Sequence, residues 1–318
     1  MSNNSNLHRA KKAKNDEFYT MLSDIENELS HYKDHFKDKV VYCNCDDPMQ
    51  SNFVKYFQIN FEFLGLKKLI ATGYRKNCRG VKLVYDGENK DANVEELEGD
   101  GDFRSEECVE LLKRADVVVT NPPFSLFRPY VAQLVKYDKK FLIIGNINAT
   151  KFKDTFPLIK NNKLWLGFGT NSWYSVPDDF DDRPGVKIED GKKYFKVMSR
   201  WFTNLDVKKR HEKLVLTEKY DPAKYPKYDN YNAINVDKTV DIPKDYDGVM
   251  GVPISFLDKY NPEQFEIVGT TENGLCDKAL WIHPEEKHNE PFIDGKKKYT
   301  RILIRRKPVG ENGKKPAV

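Results

Sequence analysis

The residues with the clearest chemical potential are Asn121-Pro122-Pro123-Phe124, which directly follow the β-branched run Ala115 to Thr120. Ligand sites in open parallel sheets lie beyond the carboxyl ends of strands, so the position of this turn is as informative as its residue types. The chemistry it suits is activation of a planar amine. An exocyclic adenine amine is a poor nucleophile because its lone pair is delocalised into the ring. The Asn121 side-chain oxygen and the Pro122 carbonyl could accept its two hydrogens, favour a pyramidal nitrogen and stabilise the positive charge that grows there. Neither a metal nor a strong base is required. The two prolines fix the backbone that carries the carbonyl, and Phe124 offers a ring face to a base, a contact worth roughly 1–3 kcal/mol. As a bare string these residues also make an ordinary strand-ending turn, so the weight falls on their neighbours.

Two upstream segments are what a methyl-transfer site needs. In Asp16-Glu17-Phe18-Tyr19-Thr20, the residues Phe18, Tyr19 and Thr20 could wrap the methionine end of a cofactor; alone, the segment reads equally as a helix cap with a hydrophobic staple. Cys43-Asn44-Cys45-Asp46-Asp47-Pro48 is the turn after the first strand, where a nucleotide-like ligand meets backbone amides and a helix start, and where a carboxylate can hold an amino group. The Cys43/Cys45 spacing also suits zinc, but a structural zinc needs four ligands, and the other cysteines and the six histidines have no matching spacing. No metal is expected. Asp100-Gly101-Asp102-Phe103 precedes a helix; Asp102 could accept from a cofactor adenine while Phe103 packs on its ring, though the four residues also make a capped turn.

The elements that must position these residues alternate. Ser23 to Phe36 has the spacing of an amphipathic helix through Ile25, Leu29, Tyr32 and Phe36, and Lys39 to Cys45 reads as a buried strand. Ser51 to Leu64 is helical in spacing, and Leu66 to Thr72 is a second strand, which makes a βαβ unit and hence a parallel sheet. Lys82 to Tyr85 reads as a short hairpin strand and Ser105 to Arg114 as a helix. Ala115 to Thr120 is a strand covered on both faces, Ser125 to Tyr137 a helix and Phe141 to Gly145 another buried strand. From Thr170 onward the periodicity weakens into short strand-like pieces between turn clusters, a shift that suits a region built for contact. The tail, 310–318, is expected to be disordered.

Composition bounds the rest. With 318 residues, 39% of them hydrophobic, the chain can bury a large core; 53 Lys and Arg against 49 Asp and Glu mean that affinity for nucleic acid must come from local clusters. No apolar run reaches the ~18 residues of a membrane span, and the polar, basic start lacks a secretory pattern. Five scattered cysteines suit free thiols in a reducing compartment, so a cytoplasmic protein is expected.

At this point the sequence resembles a known family, the EcoRI-type adenine-N6 DNA methyltransferases of type II restriction-modification systems. The stretches KNDEFYT, KVVYCNCDDP, LGLKKLIAT, GDGDFRS, VVTNPPFSLFR, YDKKFLIIGN, KYDNYNAINV and YDGVMGVPISFL carry the resemblance over nearly the whole chain; it is weakest at 75–98, 168–200 and 269–298. The resemblance implies an α/β fold: a Rossmann-like, S-adenosylmethionine-dependent methyltransferase sheet with helices on both faces over 1–166, and a target-recognition region over 167–318. It implies double-stranded DNA as partner, an adenine within GAATTC as target, and a cognate endonuclease that acts on the same site without binding this chain. By position, Phe18 to Thr20 would be the first cofactor element, Cys43 to Pro48 would stand where relatives have a glycine-rich loop, and Asn121 to Phe124 would be catalytic. The usual acidic residue after the second strand has no counterpart among Ala71, Thr72, Gly73 and Tyr74, so the ribose contact is unassigned.

Lys187, Lys192, Lys193, Arg200, Lys208, Lys209 and Arg210 are the candidates for DNA contact within 167–259, and Lys11, Lys12 and Lys14 for a basic arm. Each also reads as a solvated surface residue. The same NPPF-type site would serve N-methylation of RNA bases or protein glutamine, and a DNA-binding homologue without turnover would keep the same fold.

Overall fold

In the computed structural model, residues 18–87, 94–272, 274–283 and 290–308 are described, those at 171 and 172 by backbone alone. Lys11, Lys12, Lys14, Asp16, Glu17 and the tail 310–318 lie outside the described residues. The chain forms two compact units, Met1–Ala149 with Leu164–Leu205, and Thr150–Lys163 with Asp206–Val318.

The first unit alternates as its sequence predicts. In order it contains α1 (Leu22–Leu29), β1 (Val40–Cys43), α2 (Asn52–Ile59), α3 (Phe61–Leu64), β2 (Lys68–Gly73), β3 (Val81–Tyr85), β4 (Val94–Glu96), α4 (Glu106–Arg114), β5 (Val117–Thr120), α5 (Phe127–Lys136) and β6 (Lys140–Asn146). It is completed by β7 (Trp165–Ser175), β8 (Val186–Glu189) and β9 (Lys192–Thr203). The strands make one mixed sheet in the order β4-β3-β2-β1-β5-β6-β9-β7, with β8 paired to β9. β1, β2, β5 and β6 are mutually parallel, and the strands flanking them are antiparallel. Every residue of β5 is buried, as expected of a strand covered on both faces.

Two expected helices are shorter than their hydrophobic spacing. α1 ends at Leu29, where the Ser30 hydroxyl bonds back to the Asn27 carbonyl at 2.7 Å; Tyr32 and Phe36 are still buried, but a 3₁₀ turn at Lys33–His35 presents them. The 51–64 stretch breaks at Asn60, whose side chain donates to the Tyr56 carbonyl at 2.9 Å. In both places a short polar side chain competes with the helical ladder. The larger difference lies beyond 164. β7 and β9, of 11 and 12 residues, are long strands of the main sheet, not short pieces, so an expected division at 166 falls inside β7.

The second unit does consist of short pieces: α6 (Phe156–Lys160) and β10 (Ile234–Asn235), β11 (Met250–Val252), β12 (Phe265–Thr270), β13 (Phe292–Ile293), β14 (Lys296–Lys297) and β15 (Ile302–Arg306). Four strands form a sheet in the order β10-β11-β15-β12, and β13 and β14 form a hairpin. Tyr228, Tyr231, Ala233, Val249, Ile293 and Leu303 pack as one core cluster. Buried Arg301 donates to Asn235 at 3.2 Å and to Asp237 at 3.1 Å, which supplies the partners a buried guanidinium requires.

Candidate active site

β1 has β2 on one side and β5 on the other, and β6 lies beyond β5. The strand order therefore reverses between β1 and β5, the crevice where open α/β sheets bind ligands. Val41 pairs with Val117 and Tyr42 with Val118. Continued upward, that register sets the turn after Cys43 beside Asn121.

Asp46 ties the two walls of the crevice together. Its carboxylate accepts from the Ser51 hydroxyl at 2.7 Å and from the Thr120 hydroxyl, and also from the Asn121 backbone N–H. Ser51 in turn caps α2, accepting from the N–H groups of Phe53 and Val54 at 3.0 and 3.4 Å. Burial pushes the Asp46 carboxyl up to about 6, against the downward pull of these three bonds. Asp47 is differently placed. Its side chain accepts from Met49 N–H at 2.9 Å and faces Arg75 at 3.6 Å. A Cβ on Gly73 would lie 2.7 Å from the Asp47 Cα, so the ends of β1 and β2 meet where only glycine fits.

Two asparagines flank this clamp in complementary states. Asn44 is buried; its side-chain oxygen accepts from the Tyr130 hydroxyl while its Nδ2 donor has no protein partner. Asn121 is half-buried and does the reverse: Nδ2 donates to the Phe18 carbonyl at 2.6 Å, and the buried Oδ1 has no partner. The buried Thr20 hydroxyl is likewise unpaired. Buried polar groups are ordinarily hydrogen-bonded, so three exceptions among the expected site residues mark a place where a ligand supplies the partners.

The segment Phe18–Thr20 is stitched in from three sides. Tyr19 exchanges backbone bonds with Ser175 of β7 at 2.9 and 3.1 Å, Thr20 O accepts from Asn52 at 2.8 Å, and Phe18 O accepts from Asn121. The Phe18 ring packs 5.6 Å from Phe124, 5.9 Å from Tyr174 and 5.7 Å from Phe195. Phe124 thus joins an aromatic cluster and stays half-exposed, while Pro122 is buried and Pro123 half-buried. Cys43 is buried and Cys45 half-buried; burial raises both thiols. Pro48 is buried in the turn.

On the far side, Asp102 is bound by Arg104 through its backbone N–H at 2.9 Å and through its guanidinium, and the guanidinium bonds hold the carboxyl below its usual range. Phe103 is buried edge-on to Tyr130 at 5.0 Å, so it joins the Asn44 side of the crevice through that ring. Sequence reasoning missed Ser51, Asn52, Thr120 and Tyr130. Ser51 was legible as a cap before an apolar run, but nothing local marks the other three.

The basic candidates separate sharply. In the first unit, Lys192 is exposed and Lys187 sits 4.7 Å over Trp173 while bonded to Glu189. Lys193 is engaged internally, with Asp182 at 3.1 Å and the Phe180 carbonyl at 3.0 Å, and Arg200 is buried. In the second unit, Lys208 is exposed and Lys209 half-exposed, but Arg210 donates to Asn162 at 2.9 Å. Among the described residues no group of three or more His, Cys, Asp and Glu stands in metal-binding proximity, and no helix is long and apolar enough to cross a membrane.

The comparisons with known proteins agree with one another. The family described as adenine-specific methyltransferase EcoRI matches residues 6–307. The chain is 50% identical to the type II methyltransferase M.EcoRI of Escherichia coli over 96% of this chain and 97% of that protein. It is 39% identical to M.MgeORF184P of Mycoplasma genitalium and 40% identical to M.MpnI of Mycoplasma pneumoniae, each over 95% of this chain and 98% or more of the relative. No solved structure matches the chain. A crevice at the β1/β5 reversal, a proline-fixed asparagine with a free oxygen at its lip and a family match over nearly the whole length converge: the chain belongs to the EcoRI family of adenine-specific DNA methyltransferases.

Proposed function

We propose that this protein transfers a methyl group from S-adenosylmethionine to N6 of an adenine rotated out of double-stranded DNA, within GAATTC, and so protects DNA from a cognate endonuclease that it does not itself bind. The observation that carries the reading is the unpartnered Oδ1 of Asn121, held by the Nδ2 bond to Phe18 so that an acceptor is presented. The residues fit the methyl donor on the same grounds. The unpaired Thr20 hydroxyl and Asn44 amide would bond its polar methionine end, with Phe18, Tyr19 and the turn from Cys43 to Pro48 around it, and Asp102 and Phe103 would meet its adenine. Bound there, S-adenosylmethionine supplies an electrophilic methyl group on a cationic sulfur that departs as a neutral thioether.

The protein's part is orientation and charge stabilisation. Asn121 Oδ1 and the Pro122 carbonyl accept the two N6 hydrogens, which turns the lone pair out of the ring plane and offsets the charge that develops as the new carbon–nitrogen bond forms. A single donor that stabilises the developing charge of an oxyanion is worth about 2.7–4 kcal/mol, and a contribution of that order is expected of an acceptor on a developing cation. One N6 hydrogen then leaves as a proton to water. Phe124 offers the base a face, and extruding the adenine costs a few kcal/mol that stacking partly offsets. A cytoplasmic location accompanies this role.

The test is incubation with methyl-labelled S-adenosylmethionine and, separately, GAATTC duplex, a duplex lacking that site, RNA and unmodified protein. Label at adenine N6 of the GAATTC duplex alone is expected. Label confined to RNA or to protein glutamine overturns the reading, and cofactor binding without any transfer points to a DNA-binding homologue that lacks turnover.

A further inference from the structure

We propose that Asp46 is a positioning residue and not a cofactor ligand: its ionised carboxylate fixes the start of the NPPF turn against the loop after β1 and so aims the Asn121 side chain. This rests on the function proposed above and concerns the same site.

Three groups from two separate elements converge on this one side chain, and in the bonds described all three act as donors. Oδ1 takes the Ser51 hydroxyl, Oδ2 takes the Thr120 hydroxyl, and the Asn121 backbone N–H adds a third bond. Ser51 cannot readily reverse its role, because its oxygen already accepts from Phe53 N–H and Val54 N–H. A carboxylate, which only accepts, satisfies all three at once; a protonated carboxyl can do so only by making Thr120 an acceptor, and an amide turns an N–H toward one of the donors. The bond to Thr120 fastens the last residue of β5, and the bond to the Asn121 N–H fastens the residue whose side chain presents the free oxygen.

Among the described residues, the groups that face Asp46 supply no counter-charge. They are the Cys43 and Cys45 thiols at the end of β1, the Ser51 hydroxyl before α2, the Thr120 hydroxyl at the end of β5 and, from α5, the Tyr130 phenol. Burial holds both thiols and the phenol neutral. Among these groups the anion is held by hydrogen bonds, and burial pushes its carboxyl from 3.8 up to about 6 against them. Because the folded value lies above the unfolded one, the unfolded chain releases this proton first, and folding stability contributed by the neutral form falls as pH rises from about 4 to about 6. Above that range the ionised group burdens the fold, which is the opposite of what a purely structural carboxylate would do. The gain lies in the geometry it imposes on Asn121.

The experiment uses the full chain with saturating GAATTC duplex and S-adenosylmethionine, and measures single-turnover methylation from pH 5 to 8.5. It also measures cofactor affinity by calorimetry and thermal melting at pH 8, for the wild type, Asp46→Asn and Thr120→Val. The wild-type rate should fall about tenfold between pH 7 and pH 5, with a midpoint near 6. Asp46→Asn should lose that acid limb and run roughly a hundredfold slower throughout, with cofactor affinity within about threefold and a melting temperature at pH 8 equal to or above the wild type's. Thr120→Val removes one stabilising donor and should move the acid midpoint upward, which supplies the answer if Asp46→Asn does not fold. A large loss of cofactor affinity with an unchanged saturated rate in Asp46→Asn makes Asp46 a ligand and overturns the proposal. So does an acid limb that persists in Asp46→Asn or does not move in Thr120→Val, or a rate and a melting temperature that fall together. If the wild type itself places no methyl on duplex adenine, the functional reading fails and not this assignment alone.

Discussion

The Asn121 side-chain amide donates to the Phe18 carbonyl at 2.6 Å, across 103 residues of sequence, and its oxygen is left buried without a partner. One hydrogen bond thus does two things. It fixes which end of the amide faces the crevice, and it joins the segment proposed to hold the methyl donor to the turn proposed to hold the adenine. Neither segment can shift without the other.

Removing that side chain should separate binding from chemistry. Asn121→Ala is expected to lower the rate at saturation by about 10³-fold and to leave S-adenosylmethionine affinity within a few-fold, because the lost acceptor acts chiefly as charge develops. Asn121→Asp keeps an oxygen but sets a second acceptor against the Phe18 carbonyl, a repulsion that Asn121→Ala lacks, and should weaken cofactor binding more than Asn121→Ala does. Single-turnover rates and calorimetry on both variants check this; equal rates in the wild type and Asn121→Ala would refute it.

The bulge in β7 supplies a stability prediction. Its register against β9 slips between Leu166 and Thr170, and the N–H groups of Phe168 and Gly169 turn to the buried Glu28 carboxylate at 2.9 and 2.6 Å, where Tyr32 also donates at 2.9 Å. Glu28→Ala removes the acceptor that these donors share and the charge that supports buried Arg200. A loss of about 3–5 kcal/mol in urea unfolding is expected. A loss under 1 kcal/mol would mean that the bulge holds itself.

Gly101 lies at φ +84, and a Cβ there would meet the Gly73 carbonyl at 2.4 Å. Gly101→Ala should therefore push the loop before α4 away from the end of β2 and weaken cofactor binding about tenfold or more, with a smaller effect on the saturated rate. Calorimetric affinity equal to the wild type's would show that this close approach has no bearing on the site.

The lysines should divide by salt dependence. Lys192→Ala removes an exposed charge on the β8/β9 hairpin and, if it meets a phosphate, lowers the slope of log affinity against log salt by about one. Lys193→Ala, whose ammonium is held by Asp182 and the Phe180 carbonyl, should leave that slope unchanged and reduce thermal stability instead. Fluorescence anisotropy over a salt series, with parallel melts, separates the two; the reverse pattern would reassign both residues.

Much of the first unit was legible in the sequence because its strands announce themselves. β1, β5 and the middle of β6 from Phe141 to Gly145 are unbroken apolar or β-branched runs, and strands buried on both faces must be so composed. β7 and β9 were not recognised. Phe195, Val197, Ser199 and Trp201 do alternate inward along β9, but a buried serine and the adjacent buried Arg200 blur the pattern, and Gly167 and Gly169 interrupt β7 at its bulge. The NPPF turn was legible from its position after a strand. The bond between Asp46 and Thr120 was not, since it spans 74 residues and depends on the register of two strands that carry no mark of being neighbours.

The most direct test of the central claim is adenine-modification sequencing of a plasmid from cells expressing either the wild type or Asn121→Ala, each confirmed as folded and cofactor-binding. The account predicts N6-methyladenine at a defined site with the wild type and none above background with Asn121→Ala. Equal methylation by the two proteins would contradict it.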